Sequence, residues 1–318
     1  MISIVTCTGR TEPLWPELID SLVISMAKCP HPAELIVVDM KADEPGRRAK
    51  LDDAVKGRIS YRHVLPKPDP WQGRYRKTTR DYSNHNCARN TGIALARGGY
   101  IALVDDCSVV DPDWYSHHYK AALQGCAVAG AFKTYNAAVI EKGVIVSGDL
   151  TSGQDHRIEA SGPITKLAGG GWFFGLNSGA PMKYALAVNG YDEMFGGQAG
   201  GDDLCFGIRI ERAGCKIYFM PDCMIYQILA THEMICNHNS WGAKQLATQK
   251  ELTLRGNQVR YANEMLIQNL FDDTKRTLPV GNNFDLKKMR EHALLTGEFP
   301  PVSDLELDWR DGQPLKDM

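Results

Sequence analysis

No apolar run in the 318 residues approaches the roughly 18 to 20 that a membrane-spanning helix requires. Nor does a charged leader precede the first apolar stretch, because Met1 runs directly into Ile2-Ser3-Ile4-Val5-Thr6. A soluble, cytoplasmic protein is expected. Nine cysteines occur without one CxxC pair, which argues against a zinc knuckle, and their odd number fits reduced thiols better than a disulfide framework. Internal repeats and low-complexity segments are absent. So is a charge bias: 36 basic residues against 38 acidic ones give a formal charge of −2, so global charge names no partner. With 43% apolar and 23% charged residues, the chain suits one large α/β domain with an appendage, or two small domains.

Charge is concentrated locally. Between Lys56 and Arg97 ten Lys or Arg stand against two acids, Asp69 and Asp81. Within that span Trp71, Tyr75 and Tyr82 alternate with Arg74, Arg76, Lys77 and Arg80. A basic loop laced with aromatic rings can grip the phosphates of a small diphosphate or of a nucleic-acid backbone; a solvated loop is the alternative.

The segment with the strongest chemical signal is Tyr100-Ile101-Ala102-Leu103-Val104-Asp105-Asp106-Cys107. Five apolar or aromatic residues without a helical period predict a strand buried on both faces, and its carboxyl end is where open α/β sheets bind ligands. Two adjacent ionised carboxylates repel and call for a cation. A hard divalent ion suits them, with substrate phosphates completing its shell. The alternative is a turn leading to the helix N-cap at Asp111-Pro112-Asp113.

Around that strand the pattern alternates. A strand over Ile2–Thr6 precedes a helix with Leu14, Leu18, Leu22 and Met26 at helical spacing. A strand from Glu34 ends in Asp39, a charged helix runs from Arg47 to Lys56, and a strand covers Ile59–Val64. This order points to a parallel sheet with Rossmann-like winding. Tyr82–Arg97 reads as a helix, as does a stretch that starts at Asp111-Pro112, an N-cap with proline at N1, and runs to about Leu123; Cys126–Phe132 and Ala138–Ser147 read as strands, and residues 148–170 as a mobile glycine-rich loop. A helix over Pro181–Val188 and the turn Asn189-Gly190-Tyr191-Asp192 precede the glycines at 196–201. Asp202-Asp203 then opens a helix through Arg212. Strands over Lys216–Met220 and Met224–Leu229 complete the sheet, and residues beyond Trp241 read as mixed-charge helix with an acidic tail.

Six pieces taken in order resemble a GT-A glycosyltransferase of the family 2 type. They are Ser3-Ile4-Val5-Thr6; Ile36-Val37-Val38-Asp39; Ala88-Arg89-Asn90-Thr91-Gly92-Ile93-Ala94; the Asp-Asp strand with Asp111-Pro112-Asp113-Trp114; Asn189-Gly190-Tyr191-Asp192-Glu193; and Gly200-Gly201-Asp202-Asp203-Leu204-Cys205-Phe206-Gly207-Ile208-Arg209. They cover roughly residues 1–235. The resemblance implies a Rossmann-like GT-A fold with a mostly parallel central sheet over residues 1–240. Residues 1–110 would form the nucleotide-sugar half and 111–240 the acceptor half, with 241–318 a helical C-terminal extension.

The resemblance further implies donor contacts at Thr6, Arg10, Asp39, Arg89 and Asp105, Arg89 lying near the diphosphate unless it forms a structural salt bridge to one of the aspartates. Asp105 and Asp106 would hold Mn2+ or Mg2+, with His232 as a later ligand and His238 its rival. Asp203 would be the catalytic base and Asp202 would hold the acceptor. Trp172 would stack on an acceptor sugar or sit in the core. Two positions depart from the family pattern: Cys107 replaces the third acid of the metal motif and is a soft, poorly suited ligand for these ions, and Cys205 replaces a later acid of the acceptor site. The implied reaction moves a sugar, expected from a UDP-sugar, with inversion, to a glycan or to a hydroxymethylated base in DNA. A nucleotidyltransferase would share the sheet and metal logic, but Thr8-Gly9-Arg10 is too thin for its glycine-rich phosphate loop. A non-catalytic sugar- or nucleic-acid-binding protein would not need Asp203.

Overall fold

The computed structural model describes residues 1–69, 84–151, 154–193, 201–229, 282 and 284–300. His232, His238, Trp71, Tyr75, Tyr82, the glycines at 196–200 and the expected helices between Trp241 and residue 281 lie outside the described residues.

In chain order the strands are β1 (Ile2–Thr8), β2 (Ala33–Asp39), β3 (Tyr61–Val64), β4 (Tyr100–Val104), β5 (Ser108–Val110), β6 (Ala127–Glu141), β7 (Val144–Leu150), β8 (Lys166–Ala168), β9 (Asn177–Pro181) and β10 (Ile217–Ile228). The helices are α1 (Trp15–Ala27), α2 (Arg47–Val55), α3 (His85–Leu95), α4 (Trp114–Gln124), α5 (His156–Ser161), α6 (Met182–Ala187), α7 (Asp202–Arg212) and α8 (Leu286–Thr296). The central path runs β3-β2-β1-β4-β9-β6-β10-β5. Pairing is parallel from β3 through β4 and again between β6 and β10, while β9 inserts antiparallel between β4 and β6. No helix among the described residues is long and apolar enough to cross a membrane, and no disulfide joins the described cysteines.

The predicted double burial of β4 is realised by period-two alternation. Ile101 and Leu103 enter a core beneath α3, α6, α7 and α8, whereas Tyr100, Ala102 and Val104 enter a second core beneath α1, α2 and α4. Ile101, Leu103 and Val104 each contribute about 1.5–3 kcal/mol of burial, which holds the carboxyl end of β4 for the two aspartates that follow. Helix α3 seats directly on β1: a Cβ at Gly92 would come within 2.3 Å of Val5 Cγ1, which explains the glycine in the Asn-Thr-Gly motif.

Three segments differ from the sequence expectation. The strand expected over Cys126–Phe132 runs on to Glu141 as the 15-residue β6, and the strand expected over Ala138–Ser147 is instead the end of β6 and the start of β7, a hairpin. Its turn, Lys142-Gly143, has both residues left-handed (φ 49° and 76°), the geometry favoured in two-residue hairpin loops. The two strands expected over Lys216–Leu229 are one, β10, with a register shift between Met220 and Met224. Pro221 cannot donate to the ladder, and the Cys223 carbonyl released there accepts from Asn177 Nδ2 at 2.7 Å. The polar loop of residues 154–170 holds α5 and β8 instead. Buried Arg157 anchors it through Asp155 (2.7 Å) and the Gly130 carbonyl (2.7 Å), with its guanidinium 3.9 Å from the Phe174 ring centre.

Helix α8 returns to the domain from the expected C-terminal extension. Leu286, Met289 and Ala293 are buried in the same core as α3, and Asn189 Nδ2 donates to the Phe284 carbonyl at 2.7 Å.

Candidate active site

The site forms where β1, β4 and the amino end of α7 converge. Backbone contacts clamp the turn after β4: Asp105 N donates to Leu176 O (3.1 Å), Leu14 N to Asp106 O (3.2 Å) and Ile228 N to Cys107 O (3.0 Å). Asp106 Oδ1 accepts from Arg10 Nε at 2.9 Å. Burial works against the charge of Arg10, but Asp106, Cys107 and Asp105 together outweigh it and keep the guanidinium cationic. Asp105 Oδ2 accepts from Gln227 Nε2 at 3.1 Å. Burial, then repulsion from Asp106, raises the Asp105 carboxyl above its usual range, and Arg89 and Arg10 offset part of that rise.

Two observations bear on a metal. Asp106 Oδ2 is buried with no hydrogen-bond partner, the position a cation would fill, and Asp105 offers a second carboxylate beside it. This pair fits a hard divalent ion whose remaining ligands are phosphate or water. Cys107 does not join the set: burial, then Asp106 and Asp105, raises its thiol well above the usual range, so it stays neutral. A second group, Asp69, Cys87 and Glu193, brings three ligand atoms within 4.8 Å of one another, but a cation is already there. Lys67 Nζ lies 2.8 Å from Glu193 Oε2. Asn84 donates to Asp69 Oδ2 (2.7 Å) and Asn90 to Glu193 Oε1 (2.8 Å). This cluster ties α3 to the turn at residues 189–193, as do Asn90 Nδ2 to Tyr191 O (2.8 Å) and Tyr191 N to Asn90 Oδ1 (2.8 Å).

Asp202 and Asp203 open α7, where the helix dipole favours negative charge. Arg89 Nη1 pairs with Asp202 Oδ2 at 2.5 Å. Asp203 accepts from Gly175 N (2.9 Å) on Oδ2 and from Leu204 N (2.9 Å) on Oδ1. Its carboxyl is pushed up to about 6, first by burial and then by Asp202, against the lowering effect of Arg89 and the two amides. A carboxylate poised there can take a proton near neutral pH.

The remaining expected residues divide. Thr6 is 1% exposed and its Oγ1 has no partner. Asp39 is wholly buried and its oxygens are occupied: Arg47 donates at 2.7 and 3.2 Å, His63 at 2.9 Å and the Lys41 amide at 2.9 Å. Against burial, which raises it, these bonds hold Asp39 below the usual carboxylate range. A nucleoside would have to reach Asp39 through that cluster. Trp172 is half-buried, edge-on to Phe219 at 5.2 Å, with Lys166 Nζ 4.6 Å from its ring centre. Gln227, Gly175 and Arg47 carry no local sequence signal and emerge only from the fold.

One carboxylate pair thus stands at a strand end and a second at a helix start, on a mostly parallel sheet entered by the antiparallel strand β9. Residues 3–150 match the family model Glycosyl transferase family 2. No curated protein matches the chain. Among solved structures, S. aureus TarS residues 1–349 shares 10% identity at a TM-score of 0.49, covering 86% of this chain and 73% of that one. The same TarS segment in complex with UDP gives 10% identity and a TM-score of 0.47 with the same coverage. A longer TarS structure gives 10% identity and 0.49, covering 82% of this chain and 43% of that one.

Proposed function

We propose that the chain is a metal-dependent, inverting glycosyltransferase that moves a hexose from a UDP-sugar to an acceptor hydroxyl, with Asp203 as general base. The observation that supports this reading is that acids of both pairs lie near one guanidinium, Arg89, which is bonded to Asp202. The charge of Arg89 acts on both Asp105 and Asp203, so the donor-side and acceptor-side acids flank one small volume.

The acceptor hydroxyl gives its proton to Asp203 as its oxygen attacks the anomeric carbon opposite the diphosphate. The bond from that carbon to the phosphate oxygen breaks, and the diphosphate leaves with the electron pair. Asp105 and Asp106 would hold Mn2+ or Mg2+, which when bound neutralises charge developing on the leaving diphosphate. Arg10, fixed on Asp106, adds a permanent cation beside that position. Asp202 borders the acceptor side, and His232 remains a proposed ligand. The acceptor is read as a glycan first and as a hydroxymethylated DNA base second, within a cytoplasmic setting that the reduced thiols suit.

This reading fixes the sign of the pH dependence. The base acts deprotonated, and Asp203 is raised to about 6. UDP release is therefore expected to be level above that pH and to fall about tenfold per unit well below it. A rate profile between about pH 4.5 and 8 checks this, and a flat profile through 6 would argue against an Asp203 base.

A further inference from the structure

Arg89 stands beside Asp202 and Asp203 and near Asp105, and its surroundings are those of a fixed part. Its guanidinium donates to Asp202 and lies 5.0 Å over the Tyr191 ring. Tyr191 stacks in turn on Phe206, with ring centres 4.1 Å apart and 9° between the planes. Phe206 is one turn beyond Asp203 on α7, so guanidinium, phenol ring and helix form a single stack. Gly175 closes the other side. A Cβ there would come within 2.4 Å of Arg89 Nη2, while the same residue's amide donates to Asp203. One glycine thus lies against the cation and bonds the candidate base, and a side chain at 175 would require the Arg89 guanidinium to shift.

We infer that Arg89 is the positioning residue of the base: by holding Asp202 it fixes the start of α7 and keeps Asp203 ionised at neutral pH. This rests on Asp203 being the base, and it replaces a direct contact between Arg89 and the donor diphosphate. The physical reason is the crowding of like charge. Asp202 faces Asp203 from the same turn, and Asp105 lies across the site at the end of β4. The neighbouring Cys7 thiol of β1 and Tyr191 phenol are both driven toward their neutral forms by burial. Among the described groups that act on Asp203, Arg89 is the cation, so removing it leaves two adjacent, half-buried carboxylates without a counter-charge.

The test is the Asp203 titration in variants whose effects have opposite signs. Protein labelled with 13C at aspartate carboxyls reports the midpoint directly, the Asp203 resonance being assigned by its loss in Asp203→Asn. Arg89→Gln should raise the midpoint by about one to two units. Asp202→Asn should lower it, because it removes the like charge and frees Arg89. Arg89→Lys should keep the midpoint near wild type at reduced turnover, and Arg89→Gln with Asp202→Asn together should return it toward wild type. UDP affinity by calorimetry should change little in Arg89→Gln. An unmoved midpoint in both single variants overturns the inference, as does a roughly tenfold or greater loss of UDP affinity in Arg89→Gln with an unmoved midpoint. If Arg89→Gln does not fold, Asp202→Asn decides alone, since its midpoint must fall. Failure of the base assignment is read separately: Asp203→Asn would then release UDP at the wild-type rate, whatever the carboxyl titrations report.

Discussion

Asp203→Asn is expected to lower turnover by about 10²–10⁴-fold while UDP binds with unchanged affinity. The amide is nearly isosteric with the carboxylate, and its oxygen can still accept from the Gly175 or Leu204 amides that hold Asp203. The substitution also removes one of two adjacent acids, so the fold should not suffer. What is lost is the proton acceptor. Without it the acceptor hydroxyl attacks as a neutral, weak nucleophile, and donor binding, which involves the other side of the site, is untouched. Single-turnover kinetics with calorimetry on the same preparation separates the two. Wild-type turnover in this variant would remove Asp203 from the mechanism.

Asp106→Ala has the second large expected effect, and it acts on both stability and turnover. Arg10 and Asp106 are 11% and 5% exposed at the side chain, so the variant leaves a mostly buried guanidinium without its carboxylate. Breaking a buried pair in this way costs about 3–5 kcal/mol, measurable as a lower urea midpoint. Turnover should fall further, by roughly 10²–10³-fold at temperatures where the variant is still folded, because the candidate metal position is lost and Arg10 loses the carboxylate that fixes it. A variant that unfolds earlier but turns over normally when folded would confine Asp106 to a structural role.

The sequence revealed the parts of the site whose signal is local. Five apolar residues running into Asp105-Asp106 read as a buried strand with a polar end, and the glycine at 92 and the acids at 202 and 203 sit at spacings that helix geometry explains. The rest depends on contacts between distant segments. Gln227 reaches Asp105 across 122 positions, and Gly175 matters only because α3 and α7 deliver Arg89 and Asp203 to either side of it. Asp39 reads as an available strand-end acid until Arg47 and His63 are seen to fill its oxygens. The join between the two halves of β10 was hidden for a similar reason. Pro221 breaks the alternation, and only Asn177 from another strand shows how the chain carries on through the break.

The central claim is that this site cleaves a nucleotide-sugar with the help of a cation at Asp105 and Asp106. Release of nucleoside diphosphate from a panel of UDP- and GDP-sugars, without acceptor and with Mn2+, Mg2+ or EDTA, tests it most directly. The account predicts UDP release from one donor, stimulated by a divalent ion and suppressed by EDTA. No release from any donor, together with no calorimetric binding of any, would contradict it.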